Sequence, residues 1–179
     1  MPLIHGKNIE ILFTEEQIAR RNEAIAAEIA ARKPHNLLIL PILKGSFIFA
    51  ADLLRALYRA GVAPEVEFIT VSSYGAAQTS SGEVKLLQDI QSNIAGRDIL
   101  LIDDILESGR TLKFVAERLR ARRPKNVAIA ALLDKPMRRV AGIEADYVGF
   151  SCPDKFVVGY GMDAAHAFRQ LPFIGVIQN

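Results

Sequence analysis

Two adjacent carboxylates that follow an apolar run are the residues of this sequence best suited to chemistry. Ile99, Leu100, Leu101 and Ile102 lead straight into Asp103 and Asp104. Ile105 and Leu106 come next, then Glu107, Ser108, Gly109, Arg110 and Thr111. The order is a buried strand, acids at its end, then hydroxyls and a glycine where a helix begins. Backbone N–H groups at a helix N-terminus, with Ser and Thr hydroxyls beside them, make a cradle for a phosphate. Carboxylates at the strand end can accept hydrogen bonds from ribose hydroxyls. The two halves together suit a sugar phosphate. Any one of these residues fits equally well in a solvated turn with a capping Ser or Thr; it is the ordered set that favours a site. Two other phosphate motifs fail. A Walker A loop needs G-x-x-x-x-G-K-[ST], but Asp104 stands at its first glycine and Arg110 at its lysine. No G-x-G-x-x-G follows a strand, so a dinucleotide-binding fold has no support.

The elements that must position these residues alternate strand with helix. Thr14 and Gln17 have capping-box spacing, and Ile18, Ile25 and Ile29 then share one helical face up to Pro34. Arg32 and Lys33 sit where the helix dipole favours cations. The run 37–40 reads as a strand buried on both faces. A turn at Leu43, Lys44 and Gly45 precedes a helix over 46–59, closed by Gly61 and Pro64. Alternation predicts a strand over 65–72. A small, polar loop spans 75–82, and a short strand, antiparallel to its neighbour, covers 84–87. The helix after Thr111 is expected to run to about 122, before Pro124. Further strands are expected over 127–133, 147–150 and 173–177. Such alternation predicts an α/β fold with a mainly parallel sheet. Ligands of these sheets bind beyond the carboxyl ends of the strands, which singles out 43–45, 103–111 and 134–137.

Composition narrows the function classes. The chain has 179 residues, half of them hydrophobic, with 22 Lys and Arg against 20 Asp and Glu. One domain is expected at this length. The apolar content and low net charge exclude a disordered chain. The near-neutral balance gives no electrostatic footprint for nucleic acid. The basic cluster Arg118, Arg120, Arg122, Arg123 and Lys125 lies at a helix C-terminus, where cations are favoured anyway. Cys152 is the single cysteine; it excludes a disulfide scaffold, favours a reducing compartment and reads as a packed thiol. His5, His35 and His166 lack metal-ligand spacing. No apolar run approaches the ~20 residues of a membrane span, and the first residues lack a signal-peptide layout. The expectation is a cytoplasmic domain that binds neither membrane nor nucleic acid.

The segment LLIDDILESGRTL resembles the phosphoribosyl pyrophosphate signature of the type I phosphoribosyltransferases. Other segments are similar to the 6-oxopurine branch of that family, the hypoxanthine-guanine phosphoribosyltransferases. PILKGSFIFAADLL resembles its first loop and helix, SSYGAAQTSSGEVKLLQDI its catalytic loop and ALLDKP its purine-contacting lysine segment. DYVGFSCPDKFVVGYGMD and FRQLPFIGVI resemble the hood over the base and the closing strand. The resemblance spans roughly 9–177, and the PDKFVVGYGMD stretch is its most specific part.

The resemblance implies a type I phosphoribosyltransferase fold: a mainly parallel central sheet flanked by helices, with a small hood. The whole chain, 1–179, would be one domain, its core over about 36–150, its hood built from the N-terminal segment and about 151–179. The implied reaction moves 5-phosphoribosyl from phosphoribosyl pyrophosphate to N9 of hypoxanthine or guanine, giving IMP or GMP and pyrophosphate. Mg²⁺ is the implied cofactor, and a homodimer or homotetramer the implied assembly.

Residue by residue, Asp103, Asp104, Ile105, Leu106, Glu107, Ser108, Gly109, Arg110 and Thr111 match the segment that holds the ribose and its 5′-phosphate. Leu43, Lys44 and Gly45 match the pyrophosphate loop, where the Leu–Lys peptide can be cis, and Arg169 is a further pyrophosphate ligand. Ser73 and Tyr74, with the loop to about 81, match a lid over the reacting atoms. Lys135 would donate to O6 of the purine, Phe156 would stack on it and the Val157 backbone would contact its edge. Asp163 would lie beside the base and bind Mg²⁺, with Asp103 and Asp104 as further metal candidates. A lysine exposed after a strand is otherwise ordinary, and Phe156 to Val158 taken alone reads as a core strand. Lys155 fits a surface charge and a salt-bridge partner equally.

Glu107 departs from the family's usual Asp, the general base near N7. The extra methylene lengthens its reach by about 1.5 Å. Two roles remain open for it: Glu107 still takes the proton, or it only hydrogen-bonds a donor on the purine. The activity of the whole chain has rivals too. A nucleotide-responsive regulator could be built on the same fold. A xanthine-preferring enzyme also fits, since the groups that read C2 are not legible. Adenine is disfavoured because a lysine only donates.

Overall fold

The computed structural model describes residues 2–73 and 84–178. Its elements run β1 (Leu3–Ile4), β2 (Lys7–Phe13), α1 (Glu15–Ala31), β3 (Leu38–Leu43), α2 (Phe47–Arg59), β4 (Glu65–Val66), β5 (Ile69–Ser73), β6 (Val84–Gln88), β7 (Asp98–Leu106), α3 (Arg110–Arg120), β8 (Asn126–Asp134), β9 (Tyr147–Ser151), β10 (Val157–Val158) and β11 (Ile174–Gln178), with a 3₁₀ turn at Pro136–Arg138 after β8. A seven-stranded sheet is ordered β6-β5-β3-β7-β8-β9, with β4 also beside β3. All of its pairings are parallel except β5–β6. The mainly parallel α/β sheet expected from the sequence is therefore present.

Side-chain alternation splits the core into two layers. Leu38, Leu40 and Leu101 pack on the α3 side with Leu112, Val115 and Leu119. Ile39, Leu100 and Ile102 pack on the other side against Ile18, Ile25 and Ile29 of α1 and Phe49, Leu53 and Leu57 of α2. A strand buried on both faces needs apolar residues at every position, and the runs at 38–43 and 99–102 supply them. α1 begins with a complete capping box: the Gln17 N–H donates to Thr14 Oγ1 at 3.3 Å, and the Thr14 N–H donates to Gln17 Oε1 at 2.8 Å. α1 also protects the sheet edge. Arg21 donates to the Val148 and Gly149 carbonyls of β9 at 2.7–3.2 Å, which occupies groups an edge strand would otherwise leave open. Arg32 caps α1 and stacks on the Tyr147 ring, 4.8 Å from its centre.

Three boundaries differ from the sequence reading. The expected strand over 65–72 is two short strands, both paired with β3. Between them Glu67 turns its carboxylate to the Gln91 and Ser92 N–H groups, and Phe68 faces solvent. α3 stops at Arg120, and Arg118 and Arg122 turn back onto Asp89. β7 does not end at Ile102 but runs through the acids to Leu106, in register with β8 up to Leu106 opposite Asp134.

A second, antiparallel sheet, ordered β1-β2-β11-β10, sits over one end of the first. It encloses its own small core of Ile9, Val158, Phe168 and Leu171. Val157 and Val158 are a buried strand, as their sequence alone suggests, while Phe156 just before them is 65% exposed. Cys152 is a buried free thiol whose pKa is pushed up by burial.

Candidate active site

The site forms where β3, β7 and β8 end and the small sheet overhangs them. Two cavities meet at Glu107. One, of about 160 Å³, is lined by Asp103, Ile105, Leu106, Glu107, Ser108, Gly109 and Thr111 together with Leu112. The other, of about 290 Å³, is lined by Asp104, Ile105, Glu107, Lys135, Lys155, Phe156, Val157 and Asp163, joined by Arg138, Asp154 and Met162. The sequence candidates thus gather around one place from segments far apart in the chain. A separate cavity of about 400 Å³ lies between α1, α2 and the small sheet, beside Asn22, Asp52 and Tyr160. Strand ends do not converge there.

The smaller cavity is built by the turn into α3. Gly109 caps the helix at φ 78°, a left-handed conformation that side chains disfavour. A Cβ there would also lie 2.8 Å from Ile143 Cγ2. The first-turn N–H groups of a helix lack intrahelical partners, and Ser108, Gly109, Thr111 and Leu112 at this helix start line the cavity. The Arg110 N–H lies 3.4 Å from Ser108 Oγ, and the Arg110 side chain points to solvent.

The larger cavity is bounded by a buried cation. Lys135 is 5% exposed, unlike the ordinary surface lysine that its position after a strand would allow. Its Nζ donates to the Lys155 carbonyl at 2.8 Å and lies 4.0 Å from Glu107 Oε1. A buried ammonium needs such partners to offset its desolvation. Lys155 serves through its backbone, while its exposed Nζ pairs with Glu10 at 3.7 Å, so its side chain is a surface charge in a salt bridge. Glu107 Oε1 also lies 3.4 Å from Arg138 Nη1.

A third corner comes from the turn after β3. The Leu43–Lys44 peptide is cis, the geometry the resemblance allows. Gly45 packs so closely on the β7 acids that a Cβ there would meet Asp104 Oδ2 at 1.8 Å. Lys44 is exposed. From the small sheet, Arg169 donates to the Gly161 carbonyl at 2.6 Å and pairs with Asp163 Oδ1 at 2.7 Å. Asp163 Oδ2 accepts the His166 N–H at 2.8 Å. Ser73 ends β5; its side chain, and Tyr74 with the whole 75–82 loop, lie outside the described residues.

The two aspartates are mutually unfavourable. Burial raises the pKa of Asp103 well above the usual carboxylate range, and the neighbouring Asp104 raises it further. Burial also raises that of Asp104, against the pull of Arg169 and of hydrogen bonds, among them the Ile105 N–H on Asp104 Oδ1 at 2.9 Å. A carboxyl whose folded pKa is raised binds its proton longer in the folded state. Its ionisation therefore favours the unfolded chain, and stability falls as pH rises above about 4. Asp103→Asn keeps the oxygen that accepts the Asp104 N–H and removes the charge. We expect it to raise the Tm of the free protein at pH 7 by about 2–4 °C, with a flatter Tm-against-pH curve. Calorimetry at pH 5 and pH 7 checks this, and a lower Tm at both would contradict it.

Sequence reasoning missed Arg138 and Asp154. The signals were present: Arg138 follows Lys135 by three residues in one strand-end turn, and Asp154 directly precedes Lys155.

A family model described as the phosphoribosyl transferase domain matches residues 8–165. The chain belongs to the phosphoribosyltransferase family. Its relatives include the hypoxanthine-guanine phosphoribosyltransferase of Bacillus subtilis, 44% identical over 170 residues that cover 94% of this chain and 93% of that one. The hypoxanthine phosphoribosyltransferase of Escherichia coli K12 is 41% identical over 172 residues, 94% of this chain and 95% of that one. A crystal structure of a hypoxanthine phosphoribosyltransferase from Staphylococcus aureus superposes with a TM-score of 0.88 at 42% identity, covering 94% of this chain and 91% of that one. This phosphoribosyltransferase thus has the type I fold expected from its sequence, the small sheet standing over the strand ends.

Proposed function

We propose that this phosphoribosyltransferase is a purine salvage enzyme that joins N9 of hypoxanthine or guanine to C1′ of phosphoribosyl pyrophosphate. The names of its relatives support this reading. The observation that carries it is the buried Lys135 ammonium on the wall of a cavity of about 290 Å³ shared with Phe156 and Glu107. A donor-only group there selects an acceptor such as O6 and disfavours the 6-amino group of adenine.

In this reading the smaller cavity takes the 5′-phosphate on the α3 N-terminus. Asp103 and Asp104 accept the ribose hydroxyls. Phe156 lies against the purine face, and the Val157 backbone meets its edge. Lys44, the Gly45 backbone and Arg169 bind pyrophosphate, which a guanidinium fits through two parallel hydrogen bonds. Bringing the two substrates together in line removes much of the entropic barrier. The C1′–pyrophosphate bond breaks, the C1′–N9 bond forms, and the proton lost from the base passes to Glu107.

The donor set also fits Mg²⁺. Among the described residues no three His, Cys, Asp or Glu side chains gather as a cage. Mg²⁺ is commonly held by one or two carboxylates, with water and substrate phosphates completing its shell. Asp163 would hold it in that manner, with Asp103 or Asp104 as alternative carboxylates. When bound, it would supply positive charge to the leaving pyrophosphate. Ser73, Tyr74 and the loop after them serve as the lid that excludes water. A homodimer or homotetramer in the cytoplasm is part of the same reading. Among the described residues no helix is long and apolar enough to cross a membrane.

The test is an assay of the purified protein with Mg²⁺, phosphoribosyl pyrophosphate and each of hypoxanthine, guanine, xanthine and adenine. IMP or GMP should form, and adenine should turn over far more slowly than either 6-oxopurine. No product from any base would sink the proposal, and faster turnover of xanthine would reassign the substrate.

A further inference from the structure

Two successive arginines hold Glu107, and they hold different parts of it. Arg139 fixes the backbone. Its Nε donates to the Glu107 carbonyl at 3.0 Å, its Nη2 to the Leu106 carbonyl at 3.2 Å and its Nη1 to the Ile143 carbonyl at 2.8 Å, and it pairs with Asp134. Arg138 reaches the side chain. Its Nη1 lies 3.4 Å from Glu107 Oε1 while its Nε pairs with Asp154 Oδ1 at 2.6 Å. Arg138 stands in the 3₁₀ turn that starts at Pro136. The three residues therefore link the loops after β7, β8 and β9 across the mouth of the larger cavity.

We propose that Arg138, braced by Asp154, is a positioning residue that sets where the Glu107 carboxylate sits and keeps it from closing further on Lys135, 4.0 Å away. The inference rests on the transfer reading above. A glutamate has one more rotatable bond than an aspartate and more side-chain freedom to lose on ordering. Among the described residues only Arg138 and Lys135 lie within ion-pair distance of its carboxylate. If Arg138 is removed, Lys135 is the remaining partner, at 4.0 Å. A collapse of Glu107 onto Lys135 would occupy the donor meant for the purine oxygen and move the carboxylate from the base proton. A half-exposed pair contributes little to folding, so the bridge is better explained by geometry than by stability.

The experiment compares Arg138→Ala, Arg138→Lys and Arg138→Ala in a Glu107→Gln background, with hypoxanthine as the varied substrate. Arg138→Ala should lower kcat/KM for hypoxanthine about fivefold, equivalent to about 1 kcal/mol. KM for phosphoribosyl pyrophosphate and Tm should not change. Arg138→Lys should recover most of the loss. In the Glu107→Gln background Arg138→Ala should cost less than about twofold, because coupled residues are not additive. An equal loss in both backgrounds, or an intact kcat/KM, would overturn the positioning role while the wild type's turnover upholds the transfer reading. A wild type inactive on every base would overturn both.

Discussion

Glu107→Gln lowers kcat for hypoxanthine by about 10²–10⁴-fold, the range of a lost general base, with KM for phosphoribosyl pyrophosphate within about twofold. The argument starts from position. Glu107 lines both cavities, so in the proposed reading it stands where a sugar phosphate and a purine would meet. The substitution keeps shape and hydrogen-bonding reach and removes only the ability to take a proton. The backbone at 107 should stay in place, since the Arg139 contact is to the carbonyl. If Glu107 merely accepts a hydrogen bond from the purine, the Gln carbonyl can replace it and kcat stays near normal. Steady-state kinetics at saturating phosphoribosyl pyrophosphate separate the two roles left open for this residue, and a near-normal kcat excludes the base role.

The part of this site built from contiguous sequence was legible because local physics determines it. The apolar run from Ile99 marks a buried strand, and Ser108 to Thr111 mark a helix start, so the proposed phosphate cradle can be read residue by residue. The capping box at Thr14 is local in the same way. β7 running on through Asp103 and Asp104 was not legible, because two adjacent acids look like a strand's end until β8 is found alongside to pair with them. β2 is not legible either, because the alternation of Asn8, Ile9, Glu10 and Ile11 breaks at Leu12 and its partner β11 lies at the far end of the chain. Long-range contacts likewise decide Lys135. Its burial depends on the Lys155 carbonyl, twenty residues on, and no local pattern distinguishes it from a surface lysine. Gly45 reads as a turn glycine, but its lack of a side chain matters because Asp104 sits against it. Phe156 and Val157 adjoin in sequence, yet one faces the cavity and solvent while the other is buried beneath.

Lys135→Met lowers kcat/KM for hypoxanthine and guanine by about 10–150-fold, because a hydrogen bond to a charged donor contributes about 1.5–3 kcal/mol. The Met side chain is close to lysine in length and unbranched, so the wall of the cavity keeps its shape. Two opposing terms act on stability. The Lys155 carbonyl loses its donor, which costs about 1–3 kcal/mol if water does not replace it, while removal of a buried charge recovers desolvation energy of similar size. Tm should therefore shift by only a few degrees, and a functional loss cannot be assigned to unfolding. Adenine decides the point. It gains nothing from an ammonium beside its 6-amino group, so its rate should not fall with those of the 6-oxopurines. The preference for hypoxanthine over adenine then narrows by nearly the full loss on hypoxanthine. A uniform decline on every base would place Lys135 in the folding of the loop rather than in recognition of the purine oxygen.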